Sequence, residues 1–505
     1  MFHFFQFTPK KQTLFEMEKS YESPKPKYDK KNQLNYSLEK NIDVLKELLH
    51  FPDSNDLVFR FFDVSINQKK YHALLILYDG LCDTNFINDY ILRQLMQNIV
   101  VEQNSNKSIL KTKQLKGIKD ILVGKVLAEG QISFAKTYEK LITSILHGDC
   151  ALIVDTFDQA IISDVKKIPS RAVGKSENEM TVKGPSEGFI ESFRSNTALI
   201  RKFVKDENFI FETIPVGKSS KTNCAIAYIT SITNDSLVEE TRKRIQGINI
   251  DYLLDTGQLE QLIEDHTFIV EPLILNTERP DKVAANLTEG RIAILVENSP
   301  EVLIVPSIYT DFLRSSEDSY IRYPYTLLLR LFRIPAVILS VLLPGLYIAI
   351  TTFHQEMIPT DLLFSIAGTR EKVPFSMLIE LLIMEVAFEI IREASIRTPA
   401  PVGPTLGIVG TLILGQAIVS ANIVSPILVI IVALTGISTF AVPNFALNYS
   451  YRILRFIYIF LRFFCRLFWN CNRAIYSFFI TLYYHIFWGT LFDTNCTFKK
   501  CCHAR

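Results

Sequence analysis

The stretch TPAPVGPTLGIVGTLILGQAIVSANIVSPILVIIVALTGISTFAVPNFALNYSY, residues 398–451, runs for 54 residues without an Asp, Glu, Lys or Arg. As one straight helix it would extend roughly 80 Å at about 1.5 Å per residue, whereas the apolar core of a bilayer is only about 30 Å thick. Two membrane crossings fit, joined near Asn422, Ser425 and Pro426. Upstream, residues 334–353 supply a further 20 uncharged positions, enough for another crossing. Residues 373–391 are apolar except for Glu380, Glu385 and Glu389. Arg330 and Arg333 precede the first span and place its start on the cytoplasmic side. If 373–391 crosses, Arg392 and Arg397 lie inside, as do Arg452, Arg455, Arg462 and Arg466; if it does not, those last four face outside. The positive-inside tendency therefore selects four crossings, at 334–353, 373–391, 403–421 and 425–443, within a membrane domain spanning 326–451.

Overall composition hides this arrangement, because a net charge of +1 and 21% charged residues resemble those of a soluble protein. From residue 321 onward there are 15 Lys and Arg against 8 Asp and Glu, a balance of +7, which leaves −6 for residues 1–320. The preceding three hundred or so residues are long enough for two subdomains, expected at 37–148 and 149–320 after a Lys- and Pro-rich disordered tail at 1–36. Strand-like runs at 57–64 and 71–78, a turn at Tyr78-Asp79-Gly80 and a helical stretch from Asn88 predict the first subdomain. A hairpin around Thr156–Asp158 opens the second, which continues with strands at 224–229, 292–296 and 302–305. Residues 190, 193, 197, 200 and 204 share one helical face, with Arg194, Arg201 and Lys202 largely elsewhere. The fold class is thus an N-terminal region of two α+β or α/β subdomains followed by a polytopic α-helical membrane domain. Met1–Phe7 is too short for an export signal and is followed by Lys10 and Lys11, so the N-terminal region is expected to stay on the cytoplasmic side. Cys82, Cys150 and Cys224 are scattered singly, without the spacing of a disulfide framework or zinc site.

Glu385, Glu389 and Glu393 recur every four residues and share a helical face from which Glu380 falls away. A carboxylate at mid-bilayer costs at least about 2.5 kcal/mol, so these groups face a bundle interior, a watery path or another subunit. The other reading of the same pattern is an amphipathic helix at the interface, with Arg392 and Arg397 neutralising Glu389 or Glu393. Gly403, Gly407, Gly410 and Gly415 let helices approach closely, either within the chain or between copies. Pro335 and Pro344 bend or loosen the first span. Enzyme signatures fail. Gly174-Lys175-Ser176 and Gly217-Lys218-Ser219 mimic the end of a phosphate loop, but Pro169 and Glu212 stand where its first glycine belongs. No catalytic, cofactor-binding or metal-ligating set is expected, and no basic, aromatic-interleaved stripe points to nucleic acid.

Lys183-Gly184-Pro185, Gly188-Phe189 and residues 196–201, beginning at Asn196, are similar to the A subunit of GerA-type spore germinant receptors. The resemblance continues through residues 277–282, which include Arg279, Pro280 and Asp281, and 289–294, which include Gly290 and Arg291. In the membrane half it is carried by 343–347 with Pro344, 353–359 with His354, Glu356 and Pro359, and by Arg392-Glu393-Ala394 and the 407–410 and 415–417 blocks. It implies a subunit of a receptor in the spore inner membrane, sensing a nutrient germinant and triggering germination. A transporter-like B subunit, a lipoprotein C subunit, membrane lipid and further copies of the same chain are the implied partners, and an oligomeric ion-conducting pore is the implied device. An ion-coupled transporter subunit is the alternative, although no internal repeat supports it. The chain departs from the family after residue 460, where both tryptophans and five of eight cysteines fall; the basic, aromatic, Cys-rich tail at 452–505 is expected to be frameshifted or decayed.

Overall fold

The computed structural model describes residues 29–66, 69–97, 132–167, 176, 179–266, 269–397 and 415–464. Two five-stranded sheets, each covered by helices on both faces, precede a group of long helices. The first sheet has the order β1 (Leu57–Ile66), β2 (Lys69–Tyr78), β4 (Cys150–Val154), β5 (Ala160–Ser163) and β3 (Ile132–Ala135), with every ladder antiparallel. Because strand side chains alternate, Leu74, Ile76 and Tyr78 of β2 face α1 (Leu38–Leu48) and α2 (Tyr138–Leu146). Ala73, Leu75 and Leu77 face the helical segment at 84–96 on the other side.

The second sheet is antiparallel throughout, in the order β6 (Phe209–Val216), β7 (Thr222–Ile229), β9 (Ile292–Val296), β10 (Val302–Val305) and β8 (Leu275–Thr277). Ala225, Ala227 and Ile229 face α3 (Phe193–Phe203) and α6 (Pro280–Thr288). Cys224, Ile226 and Tyr228 face α4 (Asp235–Gln246) and α5 (Thr256–Ile263).

Three expectations need correction. The hairpin at 151–165 does not open the second subdomain: β4 pairs with β2, Ala73 opposite Val154, so the first sheet extends past the expected boundary at 148. The tail ends sooner than residue 36, since Leu34 is buried and its N–H donates to Lys136 O at 2.9 Å. Arg201, placed off the buried face of α3, is 2% exposed; it pairs with Asp56, donates to Phe209 O at 3.0 Å and lies 4.0 Å from the Tyr78 ring centroid. It thus ties the first sheet to the second. Such a cation is tolerated inside because its Nε and Nη2 donors are engaged by a carboxylate, a hydroxyl and a carbonyl.

The helical part begins with α7 (Tyr323–Phe353), 31 residues, then α8 (Thr360–Arg370), α9 (Met377–Arg397), α10 (Pro426–Phe440) and α11 (Phe445–Phe464). Among the described residues α7 alone is long and apolar enough to cross a membrane; α10 is apolar but only 15 residues long. α7 starts well ahead of the expected 334 and continues through Pro335 and Pro344. Most of the expected span at 403–421, with Gly403, Gly407 and Gly410, and the part of the Cys-rich tail after residue 464 lie outside the described residues. One apolar cluster runs from Ala225, Leu295 and Ile304 of the second sheet through Tyr309 and Phe312 to Val337 and Val341 of α7 and Tyr451 and Tyr458 of α11. The sheet and the helices therefore share a core.

Candidate functional site

About half of α9 is Leu, Met, Ala and Glu, good helix formers, set among five Ile, and it carries four carboxylates. Glu385 is 1% exposed, and its Oε2 accepts from Arg455 Nη1 of α11 at 2.8 Å. Arg455, also 1% exposed, donates through Nε to Ser340 O of α7 and through Nη2 to Thr439 Oγ1 of α10, each at 3.0 Å. One guanidinium therefore joins four helices. One turn along, Glu389 pairs with Arg452 and stands 3.8 Å from Arg392 Nη1. Glu393 is exposed. Glu380 faces elsewhere, as its spacing predicts: it is fully buried and accepts from Ser425 N–H at 2.8 Å, with Arg370 Nε 3.9 Å away. Ser425 caps the N-terminus of α10, where a carboxylate is favoured by the helix dipole. Arg452 and Arg455, read from sequence only as flanking charges, are the counter-ions of the α9 acids. The signal was present: Leu447, Tyr451, Arg455 and Ile459 follow a four-residue period on α11, and all are buried.

A second cluster gathers the family-motif residues around the start of α7. Gly184 has φ +115°, and a Cβ there would stand 2.7 Å from the Tyr320 ring, so only glycine fits the turn. Arg279, wholly buried, donates to Pro185 O at 2.7 Å, to both carboxylate oxygens of Asp281 at 3.0 and 2.8 Å, to Thr181 Oγ1 at 2.9 Å and to Glu179 O at 3.3 Å. Tyr320 OH donates to Asp281 Oδ2 at 2.6 Å; burial and this bond push the phenol up to about 12. Asn196 receives Ile190 N–H at 2.9 Å and donates to Ile190 O, which fixes the chain entering α3. Gly290 has φ +86° in the turn before β9, and Pro280 occupies the first turn of α6. Arg291 donates to Asp311 at 2.5 Å. Pro344 is buried within α7, His354 caps its end, and Glu356 and Pro359 are exposed beyond it.

Asp318, Tyr320 and Asp311 were not singled out from sequence, yet they hold this junction. Arg333 donates to Asp318 at 2.6 and 2.8 Å and Arg330 at 3.2 Å. Burial pushes the Asp318 carboxyl up, but the hydrogen bonds from Arg333 and then Arg330 outweigh it and hold the group below the usual range. Ser450 Oγ donates to Val270 O at 2.5 Å, and the hydroxyls of Tyr309 and Tyr451 are hydrogen-bonded. A cavity of about 180 Å³, lined by Asp281, Lys282, Asn286, Arg314, Ser315 and Tyr320 among others, lies beside the Arg279 cluster. Among the described residues no group of three or more His, Cys, Asp or Glu is placed to hold a metal ion.

The geometry joins the second sheet to the helices through one apolar core. The family of Bacillus/Clostridium GerA spore germination proteins matches residues 43–487. Spore germination protein KA of Bacillus subtilis (strain 168) is 40% identical over 424 residues, covering 84% of this chain and 75% of that protein. GerLA, a spore germination protein of Bacillus cereus, is 37% identical over 424 residues, covering 84% and 83%. The crystal structure of the N-terminal domain of the A subunit of the Bacillus megaterium spore germinant receptor GerK3 is 30% identical, with a TM-score of 0.40, covering 55% of this chain and 98% of that one. This chain belongs to the GerA family of spore germination proteins.

Proposed function

We propose that the chain is the A subunit of a nutrient germinant receptor. It sits in the spore inner membrane with its N-terminal domain on the interior side and works with a transporter-like B subunit and a lipoprotein C subunit. Four crossings anchor it, and further copies of the chain complete an oligomer that passes cations once a nutrient is engaged, directly or through the B subunit. The observation that carries this reading is the shared core between the second sheet and helices α7 and α11. A displacement of the sheet cannot be absorbed there without moving the helices, because packed interiors repack between discrete arrangements rather than deform. The acids of α9, held by Arg452 and Arg455 of α11, are the groups such a movement would uncover.

A strain lacking the chain, tested against a panel of amino acids, sugars and nucleosides with release of spore ions as readout, checks the assignment. Loss of the response to at least one nutrient is expected, and a full set of normal responses would overturn it. In a complemented strain Glu389→Gln should change the rate of ion release at unchanged protein level. Unaltered release would remove the α9 face from the conducting path.

A further inference from the structure

Between α9, α10 and the helical residues 415–420 lies a cavity of about 210 Å³ walled almost wholly by apolar side chains, including Met384, Phe388, Ile418, Val432, Ile437 and Phe440. Along α10 its lining extends from Val429 to Phe440, about 16 Å at a rise of about 1.5 Å per residue. One end is polar. The Arg392 guanidinium lies 4.9 Å from the Phe388 ring centroid and 5.3 Å from that of Phe440. Its side chain is only 11% exposed, and Nε and Nη2 have no hydrogen-bond partner among the described residues. The nearest carboxylate, Glu389 at 3.8 Å, is already engaged by Arg452, and Glu385 by Arg455. Glu389 is thus shared between two guanidiniums, Arg452 and the more distant Arg392, and Arg392 is the less fully paired of the two. A buried charge in that condition is costly, and a guanidinium is matched best by an oxyanion that takes its N–H groups in pairs.

The apolar cavity and the underused cation are contiguous, so an occupant satisfying both is amphiphilic and negative. Arg392 lies near the ends of α9 and α10 closest to the second-sheet core, to which Val442 and Leu447 belong. With α7 crossing a bilayer, that end is at headgroup level. We propose that this is a binding site for an anionic phospholipid, one acyl chain lying in the cavity and the phosphate on Arg392. A free inorganic anion would leave the apolar wall unfilled, and a zwitterionic lipid would bring a second cation beside Arg392.

The test uses the full chain purified in a mild detergent. Retention of phosphatidylglycerol and phosphatidylcholine, added at equal concentration, is read by native mass spectrometry with inorganic phosphate as competitor. The expected result is one retained phosphatidylglycerol, preferred about fivefold, the effect of one basic residue at a membrane surface. The preference should fall to parity in Arg392→Gln and return in Arg392→Lys, while Ala433→Phe, which narrows the cavity, should lower retention of both lipids. Equal retention by the unmodified chain, or an undiminished preference in Arg392→Gln, would overturn the proposal. So would displacement of the lipid by inorganic phosphate, the mark of a plain anion site. Failure of a chain that is helical by circular dichroism to hold any lipid would assign the cavity to protein.

Discussion

Replacing Arg455 with Met while leaving Glu385 in place isolates the bond that joins four helices. At 2.8 Å the pair attract by about 6 kcal/mol at an effective dielectric of about 20, but withdrawing each ion from water costs several kcal/mol. The intact pair is therefore nearly neutral in net stability, whereas breaking it is not. With Arg455 removed, Glu385 is left in the interior without its counter-ion. The Arg455→Met variant should lose about 3–4 kcal/mol, in line with other broken buried pairs. Replacing both residues, Arg455→Met with Glu385→Leu, should restore stability to within about 1 kcal/mol, because no uncompensated charge remains. The assay is denaturation of the full chain in mixed micelles with rising SDS fraction, with helicity followed by circular dichroism. A loss below about 1 kcal/mol, or a double variant as weak as the single one, would refute the reasoning.

Three further outcomes are expected in the same assay. Gly184→Ala forces a side chain into a φ of +115° and against the Tyr320 ring, and should cost about 1–3 kcal/mol; an unchanged transition would show that the turn relaxes freely. Asp318 has a depressed folded pKa, so its clamp on Arg330 and Arg333 is at full strength above the ordinary aspartate value of 3.8 and is lost as the pH falls through the lower folded value. Asp318→Asn should therefore cost about 1.5–3 kcal/mol at pH 7 and progressively less below pH 4, and a deficit that stays constant with pH would count against the clamp. Glu260 shows the opposite sign: burial first, then Glu264 and Glu301, push it up to about 8. Its protonated form favours the fold at low pH, and that advantage is lost as pH rises from 4.5 through about 8, so Glu260→Gln should stabilise the chain at pH 9 and be neutral at pH 4. A Gln variant no more stable than the original at pH 9 would show that the carboxyl is solvated.

What the chain disclosed from sequence was local, and what it concealed was pairing. The strands at 57–66 and 69–78 and the hairpin of β9 and β10 announce themselves through β-branched, aromatic and other apolar runs bounded by turn residues, because those properties are fixed by neighbours along the chain. That β4 and β5 join the sheet of β1 and β2 depends on contacts some eighty residues apart, and a wholly buried strand such as β4 carries no alternation to say which sheet it enters.

The same limit governs the candidate site. The acids of α9 stand out by their four-residue spacing, but their cations lie on another helix, Arg455 being 70 residues from Glu385, where counting charges by loop made them look like topogenic flanks. Helical phase would have separated the two roles. Arg455 falls on the buried face with Leu447, Tyr451 and Ile459, and Arg201 sits beside Ile200 on the face of α3 that also buries Thr197. An arginine in phase with apolar neighbours must bring a partner inside with it, since its charge is not shed at physiological pH. Each such arginine here does so: Arg201 takes Asp56, Arg279 takes Asp281 and Arg455 takes Glu385. Each of these pairs lies where elements of the fold meet, between the two sheets, beside the start of α7 and among four helices, so the costly buried charges mark the seams through which one part of the chain holds another.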